Sequence, residues 1–206
     1  MMCQCEGLEV CPKCAPPAEF ESFQRIARLS REIVITEKID GINAQLHIDD
    51  TGTVLKIGSR NRWLRDTEDN FGFYKWAMEH RGELLALGPG RHFGEWFGAG
   101  IQRRYGLTEK RFSLFNVHRW VDAFDTFSPA RLEKQGYCPP CCSVVPVLYR
   151  GPFSESQINT TMGDLARSGS RAVPGFMQPE GIVIYHTAAK VLFKKTFEHD
   201  AEGKPE

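Results

Sequence analysis

The chain has 206 residues, with 26 Lys and Arg balanced by 26 Asp and Glu and a sequence pI near 7. That length suits one domain with a sizeable core, and 41% hydrophobic with 25% charged residues is ordinary for a globular chain. A membrane span needs about 20 apolar residues, and the uncharged stretch Tyr137–Tyr149 offers 13 with three prolines. Glu6 and Glu9 stand where a secretory signal needs a basic start and an apolar core, so the expected location is intracellular (cytoplasmic), with no membrane contact. A neutral total argues against a generic polyanion binder, but it hides where the charges sit. Residues 1–22 carry four Glu against Lys13, and residues 196–206 carry four acids against Lys204. The 173 residues between hold 24 basic and 18 acidic side chains, or +6. Lys56, Arg60, Arg62 and Arg65 form one basic cluster, and Arg103, Arg104, Lys110 and Arg111 form a second around Glu109.

In chain order, residues 1–18 are rich in Cys, Pro and Glu without hydrophobic periodicity, and read as a tail or small knuckle ahead of a domain over 19–206. Glu19–Leu29 reads as a short helix. Ile33–Thr36 is β-branched and predicts a strand. Ile42, Ala44, Leu46 and Ile48 alternate with polar residues, the period of a strand buried on one face. The turn Asp49–Gly52 leads into a third strand at Val54–Ile57. Thr67–Leu87 predicts a helix with Thr67 as N-cap and Gly88 past its end. Strands are expected at His92–Phe97 and Phe112–Val117. Ser154–Gln157 has the pattern of a capping box, followed by Ile158, Met162 and Leu165 on one helical face. Glu180–His186 and Val191–Phe197 read as a closing hairpin. Strands outnumber helices and are joined by short turns, so the expected class is α+β, with mainly antiparallel sheets flanked by helices.

Glu37-Lys38-Ile39-Asp40-Gly41 places a lysine where a strand gives way to a glycine turn. Alone, this K-x-D-G is weak evidence. It is followed in order by Ser59-Arg60-Asn61, Phe93-Gly94-Glu95-Trp96, Arg111-Phe112-Ser113-Leu114-Phe115, Glu180-Gly181-Ile182-Val183-Ile184 and Leu192-Phe193-Lys194-Lys195-Thr196. The ordered set resembles the covalent nucleotidyltransferase superfamily of polynucleotide ligases and capping enzymes. Asn43 after the turn, and Gly100-Ile101-Gln102-Arg103 after the Gly-Glu-Trp segment, are similar to the RNA-ligase branch.

The chemistry suits these residue types. A lysine nucleophile must be neutral, and nearby cations and partial burial favour that form. Lys194 and a divalent metal would supply such charge and also stabilise a phosphate in its crowded transition state. The resemblance implies an adenylyltransferase domain that uses ATP with Mg²⁺ or Mn²⁺. Lys38 would attack the α-phosphorus to give lysyl-AMP. The AMP would pass to a polynucleotide 5′-phosphate, and a 3′-hydroxyl would displace it to seal the strand, RNA being the favoured partner. Arg60 would contact AMP or the strand end, Glu95 the ribose hydroxyls, and Phe115 the adenine face. The Glu37 backbone would read the exocyclic amine, Asp40 completes the catalytic turn, and Asn43 would position the end being joined. Glu180 would bind metal through water, and Lys194 would contact the α-phosphate. Lys195 is the second lysine of the final motif, which in the family usually holds lysines two apart; here Thr196 fills that slot and alternation turns Lys195 away. Only eight residues follow Glu198, too few for the C-terminal module most such ligases add, so a partner protein would replace it. A DNA nick ligase, a guanylyl-transferring capping enzyme and a non-catalytic end-binding subunit are the alternatives.

Seven cysteines in a chain without an export signal argue against a disulfide framework. Cys3, Cys5, Cys11 and Cys14 have knuckle spacing, and Cys138-Pro139-Pro140-Cys141 is a second Cys-x2-Cys. Either the first four close a Zn²⁺ site, or the two knuckles share one. Reduced, unligated thiols with Cys138–Cys142 in a loop are the alternative.

Overall fold

The computed structural model describes residues 20–23, 25–120 and 138–198, which form two mainly antiparallel sheets flanked by helices. The α+β expectation therefore holds. In chain order the strands are β1 (Glu32–Lys38), β2 (Ile42–Ile48), β3 (Leu55–Ser59), β4 (Gly90–Gly98), β5 (Lys110–Leu114), β6 (Cys142–Val144), β7 (Val147–Pro152), β8 (Gly181–His186) and β9 (Val191–Thr196). The helices are α1 (Phe73–Glu79), α2 (Arg81–Leu84), α3 (Val117–Trp120) and α4 (Glu155–Ser168). One sheet has the order β7-β1-β8-β9 and the other β3-β2-β4-β5-β6; within them only the β5–β6 pair is parallel.

Alternation sets both layers. Ala44, Leu46 and Ile48 of β2 point with Ile57, Trp96, Phe112 and Leu114 to one face of the five-stranded sheet, where Phe73, Ala77, Leu84 and Leu87 cover them. Each large side chain buried here contributes about 1.5–3 kcal/mol. On the four-stranded sheet, Ile33, Ile35, Ile182 and Ile184 pack under Ile158, Met162 and Leu165 of α4. The Ser154 hydroxyl accepts from the Gln157 N–H at 3.4 Å, capping α4 where the sequence places it. A third cluster, Ile39, Phe97, Tyr105, Val145 and Val173, joins the two sheets beside the end of β1.

Several expectations need correction. No helix forms among the described residues of 20–29, where Phe20, Phe23 and Ile26 lie almost fully exposed. The helix expected over 67–87 begins at Phe73 and breaks at His80 into α1, α2 and a 3₁₀ turn at Leu85–Leu87. Thr67 does not cap it; the Asp69 carboxylate accepts from the N–H groups of Tyr74 and Lys75 at 2.7 and 3.2 Å. Val117 opens α3 instead of ending a strand. Cys142 lies in β6, not a loop, and Pro146 divides β6 from β7 while its carbonyl accepts from the Glu37 N–H at 3.0 Å. Among the described residues, no helix is long and apolar enough to cross a membrane.

Candidate active site

β1 ends at Lys38, the point where the chain leaves one sheet to enter the other through Asp40–Gly41. Lys38 pairs in register with Gly181, so Glu180 stands beside it across the β1–β8 seam. The Lys38 Nζ donates to Glu180 Oε2 at 2.6 Å, with the two side chains 25% and 18% exposed. They are sheltered yet reachable by a small molecule.

Glu95 comes from the other sheet, on β4 opposite Asn43 of β2. Its carboxylate accepts from the Gly41 N–H at 3.0 Å and from Asn43 Nδ2 at 3.4 Å. Burial pushes the Glu95 pKa up to about 7, against the pull of Lys38 and the Gly41 N–H, while Glu180 and Asp40 push it further up. The turn, Lys38, Glu180 and Glu95 thus share one field. Gly41 is required by space: a Cβ there would meet the Trp96 carbonyl oxygen at 2.5 Å and Phe97 Cβ at 2.8 Å.

Side chains that the motif reading left without a role complete the scaffold. The Glu37 side chain, 1% exposed, accepts from Ser170 Oγ at 2.5 Å and from the N–H groups of Arg171 and Ala172 at 2.7 and 2.9 Å. It ties the loop after α4 to the strand that carries Lys38. The Tyr105 hydroxyl accepts from the Asp40 N–H at 2.7 Å, and burial pushes its pKa up, so it stays protonated. Gln102, Arg104 and Tyr105 all have positive φ, between 43° and 58°, an uncommon concentration for non-glycine residues. Local pattern offers no signal for Tyr105, which the Arg-rich segment disguises.

Arg103 also departs from expectation. Its Nε lies 3.1 Å from Asp40 Oδ2, close enough for charge contact but not aligned as a hydrogen bond, and its Nη2 donates to Glu198 at 2.9 Å. Arg111 pairs with Glu109, and Lys110 donates to the Phe71 carbonyl at 2.8 Å. The second basic cluster is therefore largely occupied internally. Lys56, Arg60, Arg62 and Arg65 are exposed and, among the described residues, have no ion-pair partner.

The remaining motif residues fall around this centre. Arg60 directly follows β3, in the bend closed by the Ser59 N–H donating to the Arg62 carbonyl at 2.9 Å. Phe115 follows β5 and is 40% exposed, its N–H donating to the Phe93 carbonyl. Lys194 pairs with Val183 and lies on the sheet face of Lys38, whereas Lys195 pairs with Ile182 and lies on the opposite face. The Cys3–Cys14 quartet lies outside the described residues. Among those described, no group of three or more His, Cys, Asp or Glu side chains has the arrangement of a metal site. Burial pushes the Cys138 pKa up to about 11 and raises that of Cys141.

Comparison with known proteins agrees with this fold. A search of curated proteins gave no match. Naegleria gruberi RNA ligase mutants resemble the chain in structure: one in the apo state (TM-score 0.55, 21% identity) and one with ATP and Mn (TM-score 0.55, 20% identity). The same ligase with PPi matches at TM-score 0.53 and 21% identity. These matches cover 81% of this chain but 50%, 49% and 50% of those chains, so it spans about half their length. At this identity the likeness establishes the fold. The RNA ligase family itself matches residues 31–196, the whole span from β1 to the end of β9, and the chain belongs to that family.

Proposed function

We propose that this protein is an ATP-dependent RNA ligase working through lysyl-AMP on Lys38. The observation that carries the reading is the meeting of the Lys38 amine, the Glu180 carboxylate and the buried Glu95 at the end of β1. Lys38, held by its contact with Glu180, releases a proton to solvent, and the neutral Nζ attacks the ATP α-phosphorus. A P–N bond forms as the P–O bond to pyrophosphate breaks. The 5′-phosphate of a strand then displaces AMP from Lys38, and the 3′-hydroxyl attacks that activated phosphate to release AMP.

Each side chain has a role suited to its place. Glu95, approaching ionisation near neutral pH, would accept from the ribose hydroxyls, and Phe115 would offer its exposed ring to adenine. The Glu37 main chain would receive the base amine while its side chain holds the loop behind it. Lys194, on the face of Lys38, would meet the α-phosphate; Lys195, on the other face, is poorly placed for it. Asn43 and Arg60 would face the strand end. Glu180 would hold a hard divalent cation through water, which Mg²⁺ keeps when bound. When bound, Mg²⁺ or Mn²⁺ neutralises phosphate charge. Since the chain spans half the length of its structural neighbours, further RNA-holding surface would come from another domain or a partner protein.

Incubation with labelled ATP and Mg²⁺ should leave acid-labile, base-stable AMP on the wild type and none on Lys38→Ala. Equal labelling of that variant would overturn the assignment. GTP in place of ATP tests the capping-enzyme alternative, and RNA against DNA nicks the DNA-ligase one; a binding subunit would take up neither nucleotide.

A further inference from the structure

On the face of the five-stranded sheet opposite the one that α1 and α2 cover, the residues of β4 become more exposed away from the candidate active site. Along β4 they pass from Phe97 (1%) and Glu95 (7%) to Phe93 (50%) and the exposed Arg91. The register aligns them in rows. Glu95 stands with Asn43; the next row outward holds Phe93, Gln45 and Gly58; the one beyond holds Arg91, His47 and Lys56. Successive rows lie about 7 Å apart and neighbouring strands about 4.8 Å apart.

The middle row contains a built aromatic platform. Gly58 has no side chain, and a Cβ there would meet Trp63 Cε3 at 3.1 Å and Gln45 Cγ at 2.9 Å. The Trp63 indole therefore lies over the Gly58 backbone, leaving it 42% exposed. The Arg91 guanidinium sits 5.5 Å from its centroid, held there by donating to Gln45 Oε1 at 3.1 Å, and His47 flanks it at 6.3 Å. Phe93 offers a second exposed ring in the same row. Lys56 and Arg60 supply cations with no ion-pair partner among the described residues, and outward from Glu95 these strands carry no acid on this face.

We infer that this face is a docking track for a single-stranded stretch of polynucleotide running outward from the end being joined. Bases stack on Phe93 and Trp63, and phosphates meet Arg91, Lys56 and Arg60. Exposed rings beside unpaired cations suit a flexible polyanion whose every base has a π-face. Continuity with the Glu95 row makes the track lead into the site, and in this the inference rests on the proposed ligase function.

The test uses the full chain and a fluorescent, 5′-phosphorylated single-stranded oligoribonucleotide, followed by anisotropy without ATP. Trp63→Ala should weaken binding about tenfold or more. The pair Lys56→Glu and Arg91→Glu should weaken it and flatten its salt dependence. Lysyl-AMP formation from ATP alone should match wild type in all variants. Wild-type affinity in both the Trp63 and the charge-reversed proteins, with lysyl-AMP intact, would overturn the track. If Trp63→Ala lost lysyl-AMP through misfolding, the charge-reversed pair would decide alone. Trp63-dependent binding by a wild type that forms no lysyl-AMP would sustain the track and refute the ligase reading.

Discussion

The amine of Lys38 and the carboxylate of Glu180 lie 2.6 Å apart although 142 positions separate them in sequence. Pairing of β1 with β8 closes that distance, because Lys38 faces Gly181 in the register. The ion pair fixes the position of the amine that we propose as the nucleophile. A cation held through Glu180 would release that amine, which would couple metal binding to activation through one carboxylate.

Glu180→Gln keeps the shape and removes the charge. Lysyl-AMP formation should fall by about 100-fold, the scale of losing a transition-state electrostatic contact, and the metal concentration for half-maximal rate should rise. Single-turnover labelling across a Mg²⁺ titration checks both. A variant with wild-type rate and metal dependence would reduce Glu180 to a structural anchor.

Glu95 gives a pH signature. Its folded pKa, raised by burial to about 7 from 4.5, means that the native state binds its proton more tightly than the unfolded chain. The associated stability is full below pH 4.5 and is lost as pH rises through about 7. The amount is on the order of 3 kcal/mol. Glu95→Gln cannot lose it, so its melting temperature relative to wild type should climb between these limits and level off above. Buried His92, whose pKa is pushed down to about 4, has the opposite trend but is common to both proteins and cancels in the difference. A difference independent of pH would refute the raised pKa.

Gly41→Ala tests the close approach of the turn to β4. The added methyl must displace the Trp96 carbonyl or the Phe97 and Glu95 side chains. Overpacking of this kind costs about 1–3 kcal/mol, and here it also moves the N–H that Glu95 accepts. Calorimetry should show a lower melting temperature, and ATP affinity should fall with it. An unchanged protein would mean that the turn relaxes freely.

The ordered motifs Lys38-x-Asp40-Gly41, Glu95, Phe115, Glu180 and Lys194 could be read directly because each is a short local signal. Strand β2 was equally legible from its alternation, β1 from its β-branched run, and β8 and β9 as a closing hairpin. Even the separation of Lys194 from Lys195 follows from a period of two. Charge was less transparent. Both basic clusters read alike in sequence, yet Arg103 and Arg111 are engaged by Asp40, Glu198 and Glu109, while Lys56 and Arg60 have no ion pair among the described residues. Ion pairing is a matter of distance in space, and composition carries no distances.

The sequence by itself determined the class of fold and the family, since these depend on residue type, order and local periodicity. The tertiary structure alone decided which side chains share a field. It brought Glu180 to Lys38, buried Glu95 far enough to shift its ionisation, used the Glu37 side chain to hold a loop, and placed Trp63 over Gly58 on an open sheet face. The physical reason is common to all four: burial and electrostatic coupling arise between segments distant in the chain, and only strand register and sheet packing set the separations on which they depend.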